Sequence, residues 1–577
     1  MKKNLSPNHL LIVGAGIAGL VAGVRSAELG LRVIILEKGE DINYPCNSRQ
    51  SGGILHIAFH NPKRPFQELI NAINTVTDNE AKPELAKALS ITGTRLVTWL
   101  QEHEIKFMKF NQQEAYSWCM APPRALRAGI DWKNKGPDIA IRHLVNEFIR
   151  LGGIIQFESR VTGLIMQENK CIGAEGLCGE NSQTWFANNV LIADGGFQSN
   201  KLLIERYITP NFNNLFQRGA RTGCGDGLLM AKAVGAAVTS LDRFYGHLIC
   251  EDAKSNDNVW PYPEIDALAT AGIVVNDSGC RIADEGQNGV FLANEIAKLS
   301  NSKKFYAVFD QTIWEGPGTS ARIPANPLLE QAGGTILRAN SVDELALKMG
   351  VPSEMLTQTL QEYNSAISQN ALSSLKIFRS EKVKAYEICN LPLMAIPICP
   401  AITYTMGGID INCDAQVLDE KGNAISGLFA AGATTGGIEG GKNSAYVGGL
   451  IKSGSFGLLA AEKVATLEGK KFTITSSNSA ETTGLREFEN IKYTKNIKKI
   501  HRLSRFPYLF FLVRYGKSIS YLTTSFVFFL VLILAGSNLN WLALAIAILT
   551  GVLTQIVIRS CIEMIVMVTE LLLPETE

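Results

Sequence analysis

The sequence predicts an α/β fold: an open-sheet domain split in sequence, an α+β cap inserted into it, and a C-terminal α-helical transmembrane hairpin. Three observations predict it. A strand–glycine turn–helix–strand pattern opens the chain. Apolar strands ending in glycines return after a long interruption. The last tenth of the chain is strongly apolar.

Residues 10–37 carry the first observation. LLIVGAGIAG is an apolar strand running into Gly14, Gly16, Ala18 and Gly19; VAGVRSAEL continues as a helix; LRVIILEK is a second apolar strand ending at Glu37 and Lys38. Gly14 suits the tight turn, Gly16 admits a pyrophosphate against the backbone, and Gly19 lets helix and strand pack closely. Glu37 stands where it accepts hydrogen bonds from ribose hydroxyls. With both strands and the acid in place, the pattern reads as a Rossmann-like dinucleotide site rather than a glycine-rich turn of another α/β domain.

The position of this unit at the N-terminal end, and the segments that follow, favour FAD over NAD. Residues 139–167 read as a helix and a strand pair, with Val161 where backbone meets adenine. VLIADGGF (190–197) is a buried strand ending at Asp194 and Gly195, and RTGCGDGLLMAKAVGA (221–236) opens a helix at Asp226. ISGLFAAGATTGG (425–437) is a strand running into Gly432 and Ala433, and the helix after Gly448 and Gly449 closes the set. Such a helix aims N–H groups and a positive dipole end at an anionic neighbour, for which a reduced flavin ring qualifies.

These segments divide the chain. Residues 1–240 are the first part of the FAD-binding domain and 391–470 the second. Residues 241–390 form the cap, with their own helix signals in SVDELALKMG and PSEMLTQTLQEYNSAI. Residues 471–505 are a polar then basic linker. Residues 506–577 hold two apolar spans, 518–536 and 541–558, each long enough to cross a bilayer and joined by SNLN. The basic run from Lys492 to Lys517 places both ends of the hairpin in the cytoplasm, and Phe506, Tyr508, Phe510, Phe511, Tyr515 and Tyr521 suit an interfacial belt. A multi-pass membrane protein with a cytoplasmic catalytic domain is the expectation.

The bulk numbers exclude other classes. A net charge of +1 gives no field favouring nucleic acid. The 11 cysteines include no C-x-x-C pair, which argues against an iron–sulfur cluster, a structural zinc or c-type haem and fits thiols in a reducing compartment; no metal is expected. MKKNLSPNHLLIVGAG lacks the apolar length of a signal peptide.

With these segments in view, the chain resembles the FAD-dependent flavoproteins of the fumarate reductase and succinate dehydrogenase superfamily (FAD-binding type 2), among them stand-alone tricarballylate dehydrogenase-like and 3-ketosteroid dehydrogenase-like members. The resemblance rests on GAGIAG with Glu37, NSRQSGG (47–53), ADGGF, TGCGDG, GIVVNDSGCRIADEG (272–286) and TYTMGGIDINCDAQVLDEKGNAISGLFAAGATTGG (403–437). It covers residues 10 to about 465 and leaves the hairpin outside. It implies Ser48, Ser51, Gly52 and Gly53 at the cofactor, hydride exchange between flavin N5 and a carbon beside an electron-withdrawing group, and His247 as a substrate-binding histidine.

The departures are informative. NSRQSGG has no histidine, so FAD is expected to be non-covalently held. Tyr404 replaces the histidine before TMGG. Tyr446, in AYVGG, replaces a carboxylate-gripping arginine, and Gly289 stands near the place of a catalytic arginine. Ala433 replaces the glutamate after AAG. A dicarboxylate needs fixed cationic forks. Losing them predicts a cleft poor in cations, unsuited to a small dicarboxylate, in which Tyr404 or Tyr446 binds a carbonyl or moves a proton. Packing aromatics and a structural histidine are the plain alternatives at Tyr404, Tyr446 and His247. Tyr245 has only proximity to His247. Arg124 and Arg127 either line the site or pair with acids on their loop, and Arg281 reads as an ion-pairing residue.

The functional expectation is a membrane-anchored FAD-dependent dehydrogenase or enoate/enone reductase, acting on a small molecule and exchanging electrons with quinone or another membrane carrier. The alternative is a non-catalytic FAD-binding membrane subunit or scaffold. A flavin monooxygenase or desaturase fits the cap and the TMGG turn less well.

Overall fold

The computed structural model describes residues 8–110, 113–299, 303–472, 548–550 and 554. The chain forms two compact units, Met1–Lys471 and Phe472–Glu577. In the second, Ile548–Thr550 and Thr554 are helical. The rest of the expected hairpin, the basic run and the linker beyond Phe472 lie outside the described residues, among which no helix is long and apolar enough to cross a membrane.

The first unit is built on an eight-stranded sheet. Its parallel core runs in the order Ala424–Ala430, Asn181–Ile192, Asn8–Val13, Val33–Leu36, Ile154–Gln156. The central strands are aliphatic because helices and strands cover both faces: Leu10, Leu11, Ile12, Ile35 and Val190 are all fully buried. The helix Ile17–Glu28 packs on Gly449–Leu467. A methyl group on Gly457 would sit 2.5 Å from the carbonyl oxygen of Ala18, so glycine sets how closely the two helices approach. Ser159–Gln167 and Lys170–Cys178 extend the long strand Asn181–Ile192 as an antiparallel meander.

A second, six-stranded sheet has the order Phe244–Cys250, Leu393–Thr405, Phe305–Asp310, Ile273–Asn276, with Leu337–Ala339 and Phe216–Gln217 also paired to Leu393–Thr405. Helices Gly289–Lys298, Val342–Met349 and Ser353–Ser368 belong to the same segment. The strand Leu393–Thr405, which follows residue 390, is central to this sheet and then leads into the first. Within it, Tyr404 pairs directly with Tyr245 on Phe244–Cys250.

Candidate active site

A cleft of about 400 Å³ opens at the carboxyl ends of Asn8–Val13, Val33–Leu36 and Asn181–Ile192, where open α/β sheets place their ligands. One end is a nucleotide cradle. Gly14 turns the chain at φ +100°, and a Cβ there would meet the carbonyl oxygen of Ala193 at 2.6 Å. The helix Ile17–Glu28 starts at Gly16 with no side-chain cap, so its first N–H groups and dipole face the cleft. Glu37 is held by the N–H groups of Ala15 and Gly39, both at 2.9 Å, and its remaining lone pairs face the cleft. Ser48 Oγ accepts from Ile17 N at 3.1 Å. Asp194 accepts from Gly227 N through one oxygen, while its other oxygen is buried without a partner; burial pushes its carboxyl up to about 6. A glycine turn that brings backbone and a helix N-terminus to the cleft, an available acid and an unpartnered buried oxygen fit a dinucleotide.

Of the expected cofactor residues, Gly14, Gly16, Ala18, Glu37, Lys38, Ser48, Ser51, Gly52, Gly53, Val161, Asp194, Gly195, Asp226, Gly432, Ala433 and Gly449 all line the cleft. Gly19 and Gly448 stand behind it. A Cβ on Gly19 would lie 2.0 Å from the carbonyl oxygen of Gly14, which is its packing role, and Gly448 turns at φ +148° into the helix Gly449–Leu467.

The other end gathers His56, Tyr245, His247, Tyr262, Glu264, Tyr404, Tyr446 and three arginines. Two networks organise it. In the first, Glu439 is buried and accepts from Tyr404 OH, from Val447 N and Gly448 N, and from Lys452 Nζ at 2.5 Å. Burial opposes the charge on Glu439, yet Lys452 and these donors hold its carboxyl below the usual range. In the second, His247 Nδ1 lies 2.6 Å from Asp266 and Nε2 lies 2.9 Å from Tyr245 OH. The Tyr245 ring stacks on Tyr446, with centroids 4.0 Å apart and planes 18° apart. Tyr446 OH accepts from Gly449 N at 3.3 Å. Burial pushes all three tyrosine hydroxyls above their ordinary range.

The expectation of a cleft poor in cations does not hold. Arg124, Arg218 and Arg322 all line this end. They converge from three distant loops, so comparing motifs position by position misses them. Arg218 pairs with Glu264; burial opposes the Glu264 charge, but His247, Arg218 and Arg322 keep it ionised. Arg127, by contrast, is exposed and pairs with Asp131. Arg281 pairs with the buried Glu285, away from the cleft. Glu439, Lys452, Glu264 and Asp266 also went unread in the sequence. The available signal was a single charge in an otherwise glycine-rich or apolar stretch, as in GIEGG and GLIKSGSFGLL.

The family described as FAD binding domain matches residues 9–445. The chain belongs to this family. The FAD-binding protein is 27% identical over 402 residues to the NADH:acrylate oxidoreductase of Vibrio harveyi, covering 67% of this chain but 37% of that one. It is 24% identical over 495 residues to the fumarate reductase of Schizosaccharomyces pombe, covering 82% and 92%. The chain thus spans well under half of the Vibrio protein and nearly all of the yeast one. In fold it is similar to the 3-ketosteroid-Δ4-(5α)-dehydrogenase of Rhodococcus jostii RHA1, with a TM-score of 0.61 at 20% identity, covering 81% of this chain and 98% of that one. The chain therefore binds FAD, and the cradle at the carboxyl ends of the parallel strands has the features that such a dinucleotide needs.

Proposed function

We propose that this chain is an oxidoreductase that adds or removes hydrogen across a C–C bond adjacent to a carbonyl or carboxyl group. The Asp266–His247–Tyr245 chain, ending beside Tyr446 in the wall of the FAD cleft, carries the reading. FAD, when bound, supplies the two-electron hydride exchange. The protein must move the accompanying proton. A carboxylate only accepts, so His247 Nδ1 carries its proton toward Asp266 and Nε2 is oriented to take or return the Tyr245 proton. Tyr245 is then the acid or base, with His247 and Asp266 as its positioning partners. Tyr446 accepts from Gly449 N, which leaves its own proton for a carbonyl oxygen of the substrate. The names of the two relatives, which act on acrylate and on fumarate, support the same bond type. The arginines remove the electrostatic ground for excluding carboxylates.

The test is photoreduction of the FAD-loaded protein, followed by mixing with a panel of enones and enoates. Reoxidation by at least one is expected, and lost in Tyr245→Phe. Reoxidation by none would favour a non-catalytic flavoprotein subunit.

We also propose, from the sequence of 506–577, that a two-helix hairpin anchors the chain with its catalytic part in the cytoplasm, near quinone or another membrane carrier. The full chain should remain in the membrane pellet after an alkaline wash, and its reduced form should be reoxidised by a quinone analogue in vesicles. Recovery in the supernatant removes the anchor, and an inert quinone removes that partner.

A further inference from the structure

Arg124 is 3% exposed, yet among the described residues only its Nη1 finds a hydrogen-bond partner, the carbonyl of Gln50 at 3.2 Å. Its Nε and Nη2 are buried without partners. Arg322 repeats the pattern: Nη1 donates to the carbonyl of Gly52 at 3.1 Å, and Nε and Nη2 are buried without partners. Both guanidinium groups lie on aromatic faces, Arg124 4.8 Å from the centre of the Tyr262 ring and Arg322 4.5 Å from that of Phe110. The planes are therefore fixed before any ligand arrives, and their backbone partners both sit on the segment Gln50–Gly52.

Among the described residues no acid forms an ion pair with either arginine, although the Glu264 charge reaches Arg322. Glu264 is engaged by Arg218, and Asp266 by His247. Asp131, near Arg124, already pairs with Arg127 and Lys135. Buried donors are ordinarily satisfied, and buried cations ordinarily paired. Burial pushes Arg124 below its ordinary pKa; Tyr262 and Asp131 oppose the shift, Arg218 and Arg322 add to it, and the lowering wins. The missing partner is an anion with two acceptors in one plane, which matches the fork of N–H donors on each arginine.

We propose that Arg124 and Arg322 form a subsite for a carboxylate group of the substrate, at positions other than those where the family resemblance expects arginine. The inference rests on the oxidoreductase reading only in calling the ligand a substrate. It makes the substrate an acid, an enoate or its saturated counterpart, and makes neutral enones poor ligands.

The test uses the full-length, FAD-loaded protein and reads binding rather than turnover. Propionate and its neutral isostere propionamide are titrated against the visible flavin spectrum. Propionate should bind saturably, with propionamide at least about tenfold weaker. R124Q and R322Q should each weaken propionate by about tenfold or more, leaving FAD content and propionamide binding unchanged. R124K, which keeps the charge but loses the fork, should fall between and stands in if R124Q does not fold. Equal binding of acid and amide, unchanged propionate binding in the variants, or loss of FAD from folded variants would each overturn the subsite. A protein that binds propionate through these arginines yet turns over no enoate would refute the oxidoreductase reading alone.

Discussion

Tyr404 gives its hydroxyl proton to Glu439, 3.1 and 3.0 Å from the two carboxylate oxygens. Tyr446, facing the same cleft, accepts from Gly449 N and keeps its own proton. The two tyrosines therefore differ in what they can offer a substrate. Tyr446→Phe should lower kcat by about 100-fold, the usual cost of one donor to a developing oxyanion. Tyr404→Phe should cost about 1 kcal/mol of stability and less than about tenfold in rate. Steady-state kinetics giving equal losses in the two variants would refute the division.

The pair Glu439–Lys452 is buried on both sides, with side chains 0% and 2% exposed. Removing one charge strands the other. Glu439→Gln and Lys452→Met should each destabilise the protein by about 3–5 kcal/mol, while the double substitution restores much of that loss. Denaturant midpoints of the four proteins measure this; strictly additive losses would mean that the two charges do not compensate one another.

The Asp266–His247–Tyr245 chain has a kinetic signature. Tyr245→Phe should reduce the proton-transfer rate by about 100-fold or more. Asp266→Asn leaves Tyr245 in place, but with its one oxygen held by Leu248 N it turns an NH2 donor toward His247 Nδ1 and so reverses the preferred tautomer. Its rate should fall with a shifted pH profile and little change in KM. A profile superimposable on that of the unmodified protein would leave Asp266 with a purely structural role.

His56 supplies a pH dependence. Burial lowers its pKa from 6.5 to about 4, against the raising effect of Glu439, and its Nδ1 accepts from Phe59 N as a neutral ring does. The unfolded chain therefore binds more protons between about 4 and 6.5, so this contribution to stability is complete above 6.5 and is lost as pH falls toward 4. Denaturation at pH 7 and pH 5 should reveal the loss, on the order of 1–3 kcal/mol, and His56→Gln should flatten it. An equal slope in the variant would assign the dependence elsewhere.

What the sequence disclosed, and what it withheld, follows from locality. Gly14, Gly16, Gly19 and Glu37 lie within one βαβ unit, where spacing along the chain is spacing in space, and the structure arranges them as the pattern predicts. His247 and Tyr245 are two residues apart on one strand and meet through the His247 ring, but Asp266, on the other side of that ring, is a cross-loop contact. Arg124, Arg218 and Arg322 meet only through the fold. Losing arginine at two expected positions therefore said nothing about the charge of the finished cleft. The role of Tyr404 depended on Glu439, whose importance is set by burial rather than by any motif.

The strand Leu393–Thr405 has one mechanical consequence. It pairs with Phe305–Asp310 and Phe244–Cys250 over most of its length, yet its penultimate residue is anchored to Glu439 beneath the glycine loop. A second sheet that swung outward as a rigid plate would drag Tyr404 with it and tear that anchor from the loop. The same end of the strand also accepts from Phe197 N at Thr405 Oγ1 and from Asn47 Nδ2 at the Thr403 carbonyl, so moving that sheet away from the cleft means breaking a short row of bonds at one strand end rather than parting a broad surface.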